Sequence, residues 1–282
     1  MAETSTLSTF TATDGENIAV QDWPLAEGGG LRGVVLLVHG LGEHAGRYDH
    51  VARRLNSWGF AVRGYDHYGH GESGGPRGGL SNDTRLLEDL DDLLESTRAR
   101  LENHVPLILL GHSMGGLVAG RYVSLRRRPV DALVMSSPAL DPGLGALQKL
   151  LLKIIPKLAP DLRVGNGLDA QYLSHDPEVV RAYLADPLCH DRVSGRLARF
   201  IAVSGAATIA CAPRWSVPTL LMYAGADRLV SPAGSRAFAA AAPRQAVASH
   251  CFEEHYHELF NEVQREPVFA MLKEWLDARF PR

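Results

Sequence analysis

Residues 111–115 read GHSMG and directly follow the apolar run PLILL. A serine flanked by glycines, where a buried strand runs into a helix, sits on a sharp turn with its hydroxyl exposed at the sheet edge. Larger residues at Gly111 or Gly115 would collide with the neighbouring strand and helix. A serine hydroxyl is a weak nucleophile at neutral pH. It needs a base to take its proton and an acid to orient that base. The chemistry open to Ser113 is therefore acyl transfer, if the chain supplies both partners.

Where a serine sits on such a turn, the acid and then the histidine follow it in the chain. The segment YAGADRLVSP places Asp227 just after an apolar strand, at the edge where Ser113 lies. The segment HYHELF offers two bases, His255 and His257. His257 is preferred because it directly precedes the closing helical segment. A base of this kind would titrate between about 6 and 7. His250 falls inside a predicted strand and reads as structural. Acyl transfer also needs hydrogen-bond donors for the developing oxyanion. The backbone N–H of Met114, after the nucleophile, is one. The N–H of Leu41, in the loop HGLGEH, is the other, with Gly40 and Gly42 letting that backbone turn toward the site.

Other chemistries are poorly supplied. The pairs His39/His44, His67/His70 and His250/His255 form no H-E-x-x-H motif and no cysteine pair joins them, so neither a metal nor a cofactor is expected. Asp66 follows a strand but precedes Ser113, and reads as an anchor for the loop HYGHGES. The three cysteines, Cys189, Cys211 and Cys251, are too scattered for a disulfide framework or a zinc site. A cytoplasmic location is the expectation, since MAETSTLSTF lacks the basic start and apolar run of a secretory signal. No apolar run approaches the roughly 18 residues of a membrane span. The formal net charge of −3, with no basic stripe, argues against a nucleic-acid partner. The RRR at 126–128 reads as the cationic end of a helix.

These residues need a frame. The chain has 282 residues, 45% hydrophobic and 22% charged, enough for one continuous core with an inserted subdomain. TLSTFTA and NIAVQDW flank Asp14-Gly15 as an opening hairpin. GVVLLVHG, FAVRGYD, PLILLG, DALVMSS, PTLLMYAG and AVASHCF read as strands, several apolar throughout, as expected of a parallel sheet covered on both faces. YDHVARRLNSWG is a helix stopped by Gly59. Residues 82–101 form the clearest helix, with Leu86, Leu90, Leu93, Leu94, Thr97 and Leu101 at three-four spacing and Ser81 or Asn82 as its cap. LVAGRYVSL and PVFAMLKEWLDARF complete an alternating α/β pattern with a mostly parallel central sheet flanked by helices. From 138 to 213 the alternation stops. This stretch reads as an inserted, mostly helical cap, broken by turns at IIPKLAP, HDPEVV and ADPLCH, between core segments 1–137 and 214–282.

Taken in order, HGLGEHAGRY, DHYGHGESGG, GHSMGG, SSPAL, ADRLVSP and YHEL, with the stretch GLDAQYLSHDPEVVRAYLADPL, resemble the α/β-hydrolase superfamily. More narrowly they resemble its monoacylglycerol lipase and lysophospholipase branch, often grouped with serine aminopeptidases. The resemblance covers nearly the whole chain. It implies Ser113 as nucleophile, Asp227 and His257 as its partners, and Leu41 and Met114 as oxyanion donors. It also implies that Glu43 and Arg47 lie near the polar end of an acyl pocket. One position departs. Animal monoglyceride lipases carry a second histidine three residues beyond the catalytic one, which reads glycerol hydroxyls, and Phe260 stands there.

The segment GLGALQKLLLKIIPKL carries Leu144, Leu147, Leu151, Ile154 and Ile155 on one helical stripe, with Lys149 and Lys153 elsewhere. It is expected to pack on the core, to wall an acyl tunnel, or both, with transient lipid-surface contact through the cap. The expected substrate is a small-molecule ester with a single acyl chain, a monoacylglycerol or lysophospholipid. The alternatives are a short-chain esterase, a small-residue aminopeptidase, or a non-catalytic binding module of the same fold. Enzymes of this fold that attack with an aspartate are disfavoured by Ser113. The oligomeric state stays open.

Overall fold

The computed structural model describes residues 5–26, 28, 30–102, 104–143, 145 and 158–281. Thr6–Thr11 (β1) and Asn17–Trp23 (β2) form an antiparallel hairpin. Gly15 turns it with a φ of 88°. Six further strands are parallel to one another: Gly33–Val38 (β3), Phe60–Tyr65 (β4), Leu107–His112 (β5), Ala132–Ser136 (β6), Thr219–Ala224 (β9) and Val247–Phe252 (β10). The eight strands lie in the order β1-β2-β4-β3-β5-β6-β9-β10. β3, β5, β6 and β9 are buried along their whole length, while β1 is exposed along nearly all of its own. That contrast is why the central segments are uninterrupted apolar runs and the edge hairpin is half polar.

Alternate side chains of each central strand point to opposite faces and feed two separate cores. Val34, Leu36 and Val38 face one core, and Val35 and Leu37 the other. The first core is closed by Arg85–Arg98 (α2), Met114–Ser124 (α3), Gly195–Cys211 (α5) and Pro232–Ala241 (α6), through Leu90, Leu117, Leu197 and Phe238. The second is closed by Asp49–Ser57 (α1) and Glu266–Arg279 (α7), through Leu55 and Leu272. α1 ends before Gly59, which takes a φ of 93°. α2 starts later than expected, with Thr84 at its N-cap and no side-chain cap bond. Asn82 instead receives the Thr84 N–H at 2.8 Å, forming a turn ahead of the helix.

Between β6 and β9 the described chain is partly helical and contains one small sheet. Arg163–Gly165 (β7) and Arg192–Ser194 (β8) pair antiparallel. Both are short and largely exposed, so they leave no apolar signature in the sequence. Pro177–Ala185 (α4) begins at HDPEVV. Its Asp176 caps the helix and Pro177 occupies the first turn, so this proline starts an element instead of breaking one. α5 packs on α3 and α6. A Cβ at Gly205 would lie 2.2 Å from the Leu140 carbonyl oxygen, so glycine permits that close approach. Residues 195–214 are long and apolar enough to cross a membrane by composition alone, where the sequence suggested no such run. Leu197, Phe200, Ser204 and Thr208 of this segment are buried against the core. The expected stripe from Leu144 to Ile155 lies outside the described residues.

Candidate active site

Ser113 occupies the turn between β5 and α3 with φ 54° and ψ −119°. A non-glycine residue there carries backbone strain and persists only because its surroundings impose it. Its N–H donates to the Ser136 carbonyl at 3.0 Å, and its carbonyl accepts from Leu117 and Ala139. A Cβ at Gly115 would lie 2.0 Å from the Val38 carbonyl oxygen, and one at Gly111 would lie 2.5 Å from that of Gly115. Backbone on both sides thus forces glycine at each flank.

The other two expected partners come from loops beyond β9 and β10. His257 Nδ1 lies 2.6 Å from Asp227 Oδ2, and both side chains are buried. The second Asp227 oxygen accepts the N–H groups of Leu229 and Val230 at 2.9 and 3.0 Å. Burial opposes charge on the His257 ring, but the Asp227 carboxylate more than compensates and raises its pKa above the ordinary 6.5. Asp227 is held below the usual carboxylate range: burial pushes it up, and His257 with the two N–H groups outweighs that. His255, two residues away, points elsewhere. Its Nε2 lies 3.0 Å from the Gln264 carbonyl oxygen, and its ring tilts against Phe252. The loop carrying His257 is tied to the inserted segment, because Glu258 N–H donates to the Leu173 carbonyl at 2.8 Å.

Leu41, Ser113 and Met114 line the same apolar cavity. The N–H groups of Leu41 and Met114 remain free of acceptors among the described residues. The loop carrying Leu41 is held by buried polar groups. Glu43 accepts the Gly40 N–H and the Tyr48 hydroxyl, each at 2.6 Å. Arg47 bridges Glu43 at 2.5 Å and Glu258 at 2.7 and 2.9 Å, and its guanidinium lies over the Tyr183 ring. Burial pushes Glu43 up, and Arg47 beside it pulls it down further, so its carboxylate stays charged. Glu43 and Arg47 are thus at the wall beside Ser113 with most of their bonding capacity used internally. Phe260 lies elsewhere. It is 3% exposed, packs on Phe269 with ring centroids 5.2 Å apart, and lines neither cavity at Ser113. A direct substrate contact at Phe260 does not follow from this placement.

Two cavities meet at Ser113, and both are bordered by Leu41 and His257. One, of about 330 Å³, is walled by aliphatic side chains including Leu162, Val164, Leu168, Val193, Ala198 and Ile201. The other, of about 830 Å³, is the more polar of the two, with mixed walls: Glu43, Arg47, Tyr183, Asp186, His190 and Glu258 border it together with Leu173, Val180 and Leu184. The sequence pointed to none of the aliphatic set. They come from α5, whose apolar residues are shared between the core and the cavity, and from β7, β8 and the loops between, which are too short to show a continuous apolar pattern. Glu258, which fixes Arg47, was visible only as the neighbour of His257.

The histidines form a supporting layer. His39 Nδ1 bonds the Gly40 carbonyl at 2.7 Å, and its Nε2 accepts the His67 N–H at 2.9 Å. Burial lowers His39 to about 3, and burial with the His257 charge lowers His112 to about 4. Asp66 accepts the Ala45 and Glu72 N–H groups, both at 2.8 Å, and so fastens the glycine-rich loop. One trio able to hold a metal, His44, Asp186 and Cys189, has its ligand atoms within 4.8 Å of one another at the polar cavity. His44 and Asp186 already bond each other at 2.9 Å, and burial pushes the Cys189 thiol up to about 12, which disfavours the thiolate a metal needs.

A mostly parallel sheet, a strained serine between strand and helix, and a buried Asp–His pair entering at the strand ends define an α/β-hydrolase. The family model described as serine aminopeptidase, S33 (Hydrolase_4) matches residues 29–264. The chain belongs to this family and is a serine-dependent carboxylic ester hydrolase. It is 38% identical over 248 residues to the monoacylglycerol lipase of Mycolicibacterium smegmatis, covering 87% of this chain and 88% of that protein. It is 31% identical to phospholipase YtpA of Bacillus subtilis over 86% of this chain and 95% of that protein. The crystal structure of Paleococcus ferrophilus monoacylglycerol lipase superposes with a TM-score of 0.82 at 32% identity, covering 98% of this chain and all of that one.

Proposed function

We propose that the protein cleaves esters of a single acyl chain, most closely as a monoacylglycerol lipase does, through an acyl-enzyme intermediate on Ser113. His257 takes the serine proton and returns it to the leaving alcohol. Asp227 holds the ring in the productive tautomer and stabilises it when charged. The N–H groups of Leu41 and Met114 receive the oxyanion. Glu43 and Arg47 shape the polar side of the site. The observation that carries this reading is the meeting, at one serine, of an aliphatic cavity and a mixed one that carries the charged and hydroxyl-bearing side chains. A single-chain ester presents one apolar and one polar arm, and each arm has its own compartment.

Residues 138–213 are the insertion between core segments 1–137 and 214–282; its described part from 158 to 194 acts as the cap, whereas α5 closes the first core. The insertion's exposed Leu162, Val164, Leu184 and Val203 support transient contact with a lipid surface. The location proposed is cytoplasmic. The names of the lipase relatives support the substrate class, and the family description keeps an aminopeptidase activity as the rival.

The test is a series of glycerol monoesters from acetyl to decanoyl, with matched methyl esters, triacylglycerols and aminoacyl amides, below the critical micelle concentration. Each buried methylene contributes about 0.8 kcal/mol, close to fourfold in kcat/KM when realised in the transition state. Rates should climb by orders of magnitude from acetyl to octanoyl, and triacylglycerols should be poor substrates. Fastest turnover of acetyl esters would point to a short-chain esterase, and of aminoacyl amides to a peptidase.

A further inference from the structure

We infer that the leaving alcohol is an uncharged polyol that can be larger than glycerol, and that anionic head groups are excluded. This rests on the single-chain ester reading and extends it to the head group. The polar cavity at Ser113 is more than twice the volume of the aliphatic one, about 830 against 330 Å³. That is the scale of pockets which enclose drug-sized ligands, whereas glycerol has only six heavy atoms.

Charge decides the class of occupant. Among the described residues, five carboxylates border the cavity, those of Glu43, Asp169, Asp186, Asp191 and Glu258, against one guanidinium, that of Arg47, and no lysine. Arg47 is engaged by two of those carboxylates, so its charge is already balanced. Arg192 offsets Asp191 at 3.2 Å from outside the lining set. The bordering His112 and His190 add no positive charge near neutral pH, since burial chiefly lowers each to about 4, while His257, whose pKa is raised, is paired with the Asp227 carboxylate at 2.6 Å. A phosphate entering here would meet acceptors of its own sign.

Hydroxyl groups meet the opposite situation, because they donate to carboxylate and carbonyl oxygens. The carboxylates are themselves partnered: Glu43 by Arg47 and Tyr48, Asp186 by His44 and the Leu188 N–H, Asp169 by Gln171. The wall therefore repels anions without leaving a bare carboxylate to select a cation. Spare lone pairs on these oxygens, with the Tyr183 hydroxyl and the Asn166 amide, suit a chain of neutral hydroxyls.

The experiment compares decanoyl esters of glycerol, diglycerol, glycerol 3-phosphate and ethanolamine, at low ionic strength and below micelle formation. The diglycerol ester should match the glycerol ester in kcat/KM or exceed it. The glycerol 3-phosphate ester should fall at least about thirtyfold lower, with added salt narrowing the gap. In Asp169→Asn/Asp191→Asn the ratio of phosphate to glycerol ester turnover should rise severalfold. A phosphate ester within about threefold of the glycerol ester overturns the inference. So does a diglycerol ester more than tenfold slower than the glycerol ester, or an ethanolamine ester preferred over both neutral esters. If all four esters are inert while a fluorophosphonate still labels Ser113, the single-chain ester reading itself has failed.

Discussion

Asp227 and His257 stand 30 residues apart in sequence and meet at 2.6 Å, with the other aspartate oxygen occupied by two backbone N–H groups. The geometry fixes which imidazole nitrogen carries the proton: Nδ1 donates to the carboxylate, leaving Nε2 as the acceptor. Asp227→Asn should fold normally and lose about 10³- to 10⁴-fold in kcat, because an amide can favour the wrong tautomer. Circular dichroism and steady-state kinetics on the same preparation test this. Near-full activity would reassign the acid.

The same pair sets a pH signature. The base works in its neutral form, so kcat/KM should rise as pH increases through the His257 pKa. Asp227 raises that pKa, so the midpoint should lie above the ordinary 6.5, beyond the lower part of the range its residue type suggests. In Asp227→Asn the residual activity should have its midpoint shifted toward acid. An unchanged midpoint would detach the titration from this pair. His255→Ala should remain active, since that ring bonds the Gln264 carbonyl instead.

Strain at Ser113 predicts a trade between function and stability. Glycine adopts a φ of 54° without the penalty that serine carries. Ser113→Gly should lose all fluorophosphonate labelling yet gain about 1–2 kcal/mol of stability, provided the strain is relieved locally. Thermal unfolding should shift upward by a few degrees. A lower Tm would show that the turn is not a store of strain.

Arg47 neutralises two buried carboxylates, so removing it should be felt first in stability. Arg47→Met leaves Glu43 and Glu258 without their counter-ion, and losses from breaking buried pairs run to about 3–5 kcal/mol. Urea unfolding near neutral pH measures this. A stability within about 0.5 kcal/mol of the parent would instead mark Arg47 as free to serve the substrate.

The buried histidines predict sensitivity to acid. In the unfolded chain they take up protons near pH 6.5. In the native state His39 resists until about 3, and His112 and His190 until about 4. Between those values the unfolded state binds more protons, so stability should be full above about 6.5 and fall steadily as pH drops toward 4. His257, shifted the other way, offsets part of this below 6.5. Denaturant midpoints flat from pH 7 to 4.5 would contradict the burial of this layer.

Local sequence logic reached the strand–serine–helix turn, because backbone collisions at Gly111 and Gly115 leave only glycine and write themselves into five consecutive residues. It reached the sheet as well. Strands covered on both faces must be largely apolar, as the fully buried β3, β5 and β9 are. Asp66 as the anchor of its loop was legible in part: its bond to the Glu72 N–H is local, whereas its bond to the Ala45 N–H joins two separate loops.

What lay beyond the sequence is whatever depends on distant segments meeting. HYHELF contains two candidate bases with similar local surroundings. Which of them faces Asp227 follows from the Phe252–His255 turn and from the docking of Glu258 on Leu173. The need for glycine at Gly42 and Gly78 is likewise tertiary. A Cβ at either would lie 2.2 Å from a carbonyl oxygen of the inserted segment, that of His190 or of Arg192. The aliphatic cavity is assembled from scattered residues of β7, β8, α5 and core loops; β7 and β8 are too short to carry a period, and the apolar face of α5 does not say which of its residues meet the cavity. Periodicity records a residue's neighbours along one element, whereas a cavity is a relation among several, and only the folded chain sets their distances.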